Sequence, residues 1–178
     1  HTQLVPIVPV HIEPFVAYSQ KITDVSQLAD GARVAIPNDP VNGGRGLLVL
    51  QKLGLITLKG KAQLDTPEDP LPTLRDITEN PKKRKIVELE SAMLPRSLAQ
   101  VDLAALNGNY VLEAKLPLDK SLYIEKGQDG KNIWGEYLVT RPENEHDKAI
   151  KIVADALNSD ATRAFIQTRY QGAIYPAF

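Results

Sequence analysis

ARVAIPNDPVNGGRGLLVLQKLG, residues 32–54, decides the architecture. A short apolar strand over 33–36 runs into Pro37, Asn38, Asp39 and Pro40. An Asn42-Gly43-Gly44 turn follows, then Arg45 and an apolar helix over 45–53 closed by Gly54. Strand, turn and helix N-terminus read as an anion site. First-turn N–H groups lack intrahelical partners, and the helix dipole places partial positive charge there. Gly43 and Gly44 permit a close approach to the backbone, and Arg45 offers a planar fork that grips a carboxylate. The turn lacks the Lys-Ser/Thr ending of a phosphate loop and the spacing of a dinucleotide fingerprint. It reads as a seat for one small carboxylate held by Asn42, Gly44 and Arg45. The same pattern, with a solvated arginine, is also ordinary in α/β proteins, so local features leave both readings open.

Working outward, buried strands are expected at 86–89 and 101–106, with a short helix within 91–100 starting near Pro95. A strand or turn is expected at 55–58 and a helix at 74–78 ended by Asn80-Pro81. The alternation of strand and helix indicates right-handed crossovers and a parallel sheet. Ligands bind beyond the carboxyl ends of such strands. Two of these ends carry polar side chains: 38–45, and Asn107-Gly108-Asn109-Tyr110. Asn107 has a donor and an acceptor for a small zwitterion whose acid end rests on Arg45. A turn residue beside glycine is the other reading of Asn107.

Before this core, 4–10 and 12–19 are extended and broken by Pro6, Pro9 and Pro14. Residues 24–28 form a helical turn capped by Thr23. Beyond Tyr110, residues 111–114 are helical, 116–124 loop-like and 133–140 a strand. Residues 147–158 form an amphipathic helix with Ile150, Val153 and Leu157 on one face. A second helix, 159–170, is capped by Ser159, turns Ala161, Phe165 and Ile166 inward, and stops at Gly172.

The 178 residues, 43% hydrophobic and 24% charged, suffice for one domain or two small lobes with a real core. A net charge of −1 with mixed signs argues against a nucleic-acid partner. The basic run Lys82-Lys83-Arg84-Lys85 reads as a solvated loop. Without cysteine there are no disulfides, thiolate metal sites or cysteine nucleophiles. The opening HTQLVPIVPVHIEPF lacks Met and enters a strand-like segment at once, as a piece of something longer would.

IPNDPVNGGRGLLVLQKLGLITLK, DITENPKKRKIVELESAMLPRSL and VDLAALNGNYVLEAKL resemble the methionine-binding lipoproteins of bacterial ABC importers, the NlpA/MetQ type. VHIEPFVAYSQKI resembles the crossing between lobes in that family, and FIQTRYQGAIYPAF its ending. The resemblance spans nearly the whole chain. It implies an α/β, periplasmic-binding-protein-like (type II) fold with two lobes, mixed and mostly parallel sheets, and an incomplete first lobe. On that analogy 1–22 is a crossover strand and remnant of lobe I, 23–106 is lobe II, and 107–178 returns to lobe I. The family's first lobe begins with a further strand–helix run, so this chain alone is expected to bind poorly.

The resemblance makes Arg45 a carboxylate clamp and Asn107 a second polar anchor. A third family contact falls in Trp134-Gly135-Glu136-Tyr137, where the methionine binders carry an asparagine, so Glu136 departs from the pattern. Glu13 departs too, standing where an aromatic is often found. Both carboxylates are candidates to face a ligand ammonium group or a more basic ligand, or else to be exposed. The function implied is a non-catalytic solute-binding protein that takes methionine, a related amino acid or a dipeptide to an ABC permease in the membrane. It would sit in the cell envelope, on the periplasmic or extracellular face, lipid-anchored through an upstream Cys outside these residues. No cofactor is expected.

Two other classes compete. A catalytic protein would draw on Glu13, Glu136, His11 or Asp39, since paired carboxylates support acid–base chemistry; no nucleophile elbow, metal helix or Ser-Lys pattern accompanies them. A metal receptor would need His1, His11 and His146, whose spacing matches no metal site.

Overall fold

The strand expected after Ala32 forms, and the computed structural model places it inside a five-stranded sheet, one strand from the edge. Residues 3–68, 70–126 and 133–178 are described; His1 lies outside them. In chain order the strands are β1 (Val5–Ile12), β2 (Phe15–Tyr18), β3 (Arg33–Pro37), β4 (Thr57–Leu58), β5 (Ile77–Glu79), β6 (Lys85–Leu89), β7 (Leu103–Asn107), β8 (Tyr123–Ile124), β9 (Gly135–Thr140) and β10 (Tyr175–Pro176). The helices are α1 (Pro40–Lys52), α2 (Leu94–Ser97), α3 (Gly108–Glu113), α4 (Lys148–Leu157) and α5 (Asp160–Tyr170). The chain divides into one unit of His1–Pro14 with Lys126–Phe178, and another of Phe15–Glu125.

The sheet of the second unit runs β6-β3-β7-β2-β8. β3 is parallel to β6 and to β7, and β2 lies antiparallel between β7 and β8. The parallel strands therefore end together at Leu89, Pro37 and Asn107. The apolar β3 and β7 are buried on both faces, whereas β6, expected to be buried, is an edge strand with Lys85 and Glu88 exposed and its apolar residues half-buried. Val16, Tyr18, Ala35, Leu94, Leu98, Val101, Ala104, Leu106 and Val111 form a core cluster. Helix α1 buries Leu47, Leu48, Val49 and Leu50, as its all-round apolar sequence requires.

Several local expectations are corrected. The helix expected at 74–78 is a single 3-10 turn, Leu74–Asp76, followed by strand β5. Asp76 closes the turn on the Thr73 backbone N–H and hydroxyl, both at 2.8 Å, and the β-branched Ile77 and Thr78 then favour extension. Asp24, not Thr23, caps the turn Val25–Gln27. The loop-like stretch before Ile124 contains β8. The basic run is not wholly solvated. Arg84 is buried and donates to the Leu55 carbonyl at 2.6 Å, and Lys82 Nζ reaches the Leu28 carbonyl at 3.2 Å.

The first unit holds an antiparallel sheet in the order β10-β1-β9. The β1–β9 register slips between Pro6 and Val8 and again between Pro9 and His11. Proline cannot donate to the ladder, so each slip accommodates a missing N–H. Asp147 caps α4 and Ser159 caps α5. Asn158 Nδ2 ties the end of α4 to the Pro9 carbonyl at 2.7 Å. The inward face of α4 is Ile150, Ala154 and Leu157; Val153 is exposed. On α5 Ile166 is buried, whereas Ala161 and Phe165 are exposed. Phe165 instead meets Tyr170 edge-on at 6.2 Å. Helix α5 ends on Gln171 in the left-handed region, with Gly172 next.

Candidate functional site

Helix α1 starts five residues earlier than its sequence suggested. Asp39 is the N-cap and Pro40 the first helical residue. Both are favoured in those places: the Asp carboxylate satisfies an orphan N–H, and the fixed proline φ suits a first turn. Asp39 Oδ1 accepts the Asn42 N–H at 2.9 Å, and its carbonyl accepts the Gly43 N–H at 2.8 Å. Asn42, Gly43 and Gly44 are thus helical and form no turn. The anion seat expected at this N-terminus is filled by the chain's own Asp39 carboxylate.

The glycines also have internal neighbours. A Cβ at Gly43 would lie 2.8 Å from the Pro37 carbonyl oxygen, and one at Gly44 2.7 Å from Leu71 Cβ. Their missing side chains let α1 press onto the end of β3 and onto residues 71–72. The close approach expected of a ligand at Gly44 is made there by Leu71 and Pro72.

Arg45 begins the second turn of α1 and is buried. Its guanidinium pairs with Glu125, with side-chain exposures of 5% and 4%. Burial at that level leaves little solvent screening. The guanidinium also lies 4.9 Å from the centre of the Phe15 ring, within cation–π range. Glu125 Oε2 accepts the Phe15 N–H at 2.9 Å, and the Glu125 N–H returns to the Phe15 carbonyl at 2.8 Å. Nearby, burial pushes the Tyr123 hydroxyl up to about 12, helped by the Glu125 and Asp65 charges and opposed by Arg45.

Asn107 stands opposite Phe15 in the β2–β7 register, at the carboxyl end of β7. Its Nδ2 donates to Asn42 Oδ1 at 3.1 Å. Asn42 Nδ2 in turn reaches the Asp39 carboxylate at 3.2 and 3.3 Å. Asn42 is thereby committed to holding Asn107. The Asn107 Oδ1 is buried with no donor among the described residues, and so is the Asn109 Oδ1. Two buried acceptors without donors suit a ligand rich in N–H groups.

The structure therefore gathers Asn42, Arg45 and Asn107 of the expected set around Phe15. It adds Glu125, which sequence reasoning missed. The signal was a lone carboxylate closing the apolar stretch Leu122-Tyr123-Ile124, but its partner lies 80 positions away. Glu13 and Glu136 belong to the other unit. Glu13 Oε1 is 3.6 Å from His11 Nε2, and the exposed Glu136 stands opposite His11 in the β1–β9 register. No group of three or more His, Cys, Asp or Glu side chains able to hold a metal occurs among the described residues. No helix among them is long and apolar enough to cross a membrane.

Residues 1–178 match the family model described as NlpA lipoprotein. The chain belongs to that family. It is 42% identical over 161 residues to the D-methionine-binding lipoprotein MetQ of Escherichia coli, a match covering 89% of this chain and 56% of MetQ. The family member thus spans little more than half the length of that relative. It also superposes on a nutrient binding protein from Burkholderia cenocepacia bound to methionine, with TM-score 0.88 and 34% identity over 99% of this chain and 71% of that one. An ABC transporter periplasmic substrate-binding protein from Coxiella burnetii matches with TM-score 0.86 and 36% identity, over 99% and 70% of the two chains. The fold is accordingly α/β, of the periplasmic-binding-protein kind, with one mixed and one antiparallel sheet.

Proposed function

We propose that this family member is part of a non-catalytic solute-binding protein that captures methionine, or a closely related amino acid or dipeptide, and presents it to an ABC permease at the cell envelope. The observation that carries this reading is the cluster around Phe15. A buried guanidinium and the buried Asn107 Oδ1, which has no donor among the described residues, lie by the carboxyl end of β7. Arg45 suits the acid end of an amino acid, and the Asn107 Oδ1 suits its ammonium group. The relatives' names point the same way: MetQ is named for D-methionine, and the Burkholderia protein was solved with methionine. Placement in the envelope by a lipid anchor is supported by the family's description as lipoproteins.

The test uses the longest natural chain that carries these residues. Mass spectrometry of ligand released on denaturation should identify an amino acid or dipeptide, and calorimetry should return it unchanged after binding. Arg45→Ala should weaken binding by about 2–5 kcal/mol, the range for truncating one member of a buried charge pair. Arg45→Lys should recover only part, because lysine lacks the planar fork. Equal affinity in all three proteins removes Arg45 from the site.

A further inference from the structure

The end of the five-stranded sheet opposite Asn107 gathers cations that amino-acid capture does not use. Lys85 opens β6 and Arg33 opens β3. The two are partners in the parallel register, one strand spacing of about 4.8 Å apart. Lys83 precedes β6 by two residues. Because β2 is antiparallel to both β7 and β8, its last residue and the first of β8 lie at this same end. Lys21 follows β2 by three residues, and Lys120 precedes β8 by three. All five side chains are exposed. Lys21 and Lys120 both line a groove of about 680 Å³, together with Asp119.

The local charge balance is positive. Residues 19–33, 82–85, 102 and 116–121 hold seven cations against four carboxylates, in a chain whose net charge is −1. Two of those carboxylates are engaged: Asp102 accepts from Lys21 Nζ at 2.9 Å and from the Arg33 N–H at 2.7 Å, and Asp24 caps the turn Val25–Gln27. Like charges on neighbouring strands destabilise a sheet, so folding alone gives no reason for Arg33 beside Lys85. A lysine on an edge strand discourages unwanted pairing, which accounts for Lys85. It does not account for Arg33, which is on an interior strand, or for Lys21, Lys83 and Lys120, which lie outside the strands.

We propose that this basic end of the sheet is a docking face for an anionic lipid surface. The inference goes beyond amino-acid capture and rests only on the envelope placement given above. The family's description as lipoproteins argues for lipid as the occupant, because a tethered chain meets the headgroups at high effective concentration. A basic patch acts as a second membrane signal beside a lipid anchor. Each Lys or Arg near an anionic surface contributes roughly fivefold to binding, and salt screens the effect.

The experiment is cosedimentation of the longest natural chain carrying these residues with two kinds of vesicle. One is phosphatidylcholine alone, and the other an equal mixture with phosphatidylglycerol. A lipid anchor holds to both kinds alike, so the difference between them reads the charged face. The wild type should bind the anionic vesicles about 100-fold more tightly, and the preference should fade as salt rises from about 0.01 M to about 0.15 M. Arg33→Gln, Lys83→Gln and Lys85→Gln combined should remove most of that preference, and Lys120→Gln alone should lower it about fivefold. Arg141→Gln, Lys148→Gln and Lys151→Gln combined, three exposed positions of the other unit, change the net charge equally and should keep it. Equal binding to both vesicle kinds, or an equal loss in the two triple variants, overturns the proposal. Retention on immobilised polyglutamate without binding to anionic vesicles also overturns it, in favour of an acidic protein partner. Methionine calorimetry on the same proteins should be unchanged among them, which keeps a failure of amino-acid capture apart from a failure of the docking face.

Discussion

Removing the charge from Glu125 and from Arg45, singly and together, weighs the buried pair. The two side chains are 4% and 5% exposed, so the discount that applies to surface ion pairs does not apply here. Glu125→Gln alone takes the Glu125 charge away from the guanidinium, and Arg45→Met alone takes the Arg45 charge away from a buried carboxylate. Removing one partner of such a pair costs about 3–5 kcal/mol. Arg45→Met also gives up the cation–π contact with Phe15, worth about 0.5–2 kcal/mol. The double variant buries neither charge, and Gln keeps an acceptor for the Phe15 N–H. Replacing a whole buried pair by neutral groups is often close to neutral, so the double variant should lie within about 1–2 kcal/mol of wild type. The two substitutions should therefore couple by about 2–4 kcal/mol, read from urea unfolding followed by circular dichroism. A coupling below about 0.5 kcal/mol would refute the claim that the pair is buried and interdependent.

Two further outcomes follow from the same region. Tyr123 should ionise near pH 12, seen as a difference in ultraviolet titration between the wild type and Tyr123→Phe. The folded state holds this proton more tightly than the unfolded chain, whose ordinary value is 10.0. The stabilisation is therefore complete below about pH 10 and is lost as pH rises toward about 12. Glu125→Gln should lower the midpoint and Arg45→Met should raise it; a midpoint at the ordinary value in all three contradicts the burial of this hydroxyl. Gly43→Ala should destabilise the chain by about 1–2 kcal/mol in urea, because about 1–3 kcal/mol of overpacking against the Pro37 carbonyl outweighs about 0.5–1 kcal/mol of helix propensity. A stabilised variant would mean that Gly43 does not face β3.

The apolar strand of β3 and the buried helix α1 were legible because both depend on a local run of Val, Ile and Leu. The start of α1 is equally local, but its signals compete: Gly43-Gly44 reads as a turn, while Asp39-Pro40 carries the stronger start signal. Arg84 shows the limit of charge patterning. Lys82, Lys83 and Lys85 surround it in the chain, yet Arg84 is buried against the Leu55 carbonyl 29 positions away. Glu125 was illegible for the same reason, since no nearby residue announces Arg45 or Phe15. Phe165 and Val153 show that helical spacing gives a face but not its burial, which depends on what packs there.

The mutual hydrogen bonds of Phe15 and Glu125 have a consequence for synthesis. They lace together the two ends of a unit that is continuous in sequence, whereas β1 must wait for β9 beyond it. At ribosomal rates of about 5–20 residues per second, β1 emerges and stays unpaired for several seconds or more while the intervening unit is made. An apolar strand left waiting invites neighbouring nascent chains to pair with it. Pro6 and Pro9 sit within that strand and interrupt its donor row, so the residues that cause the two register slips in the finished sheet also act as gatekeepers against cotranslational aggregation.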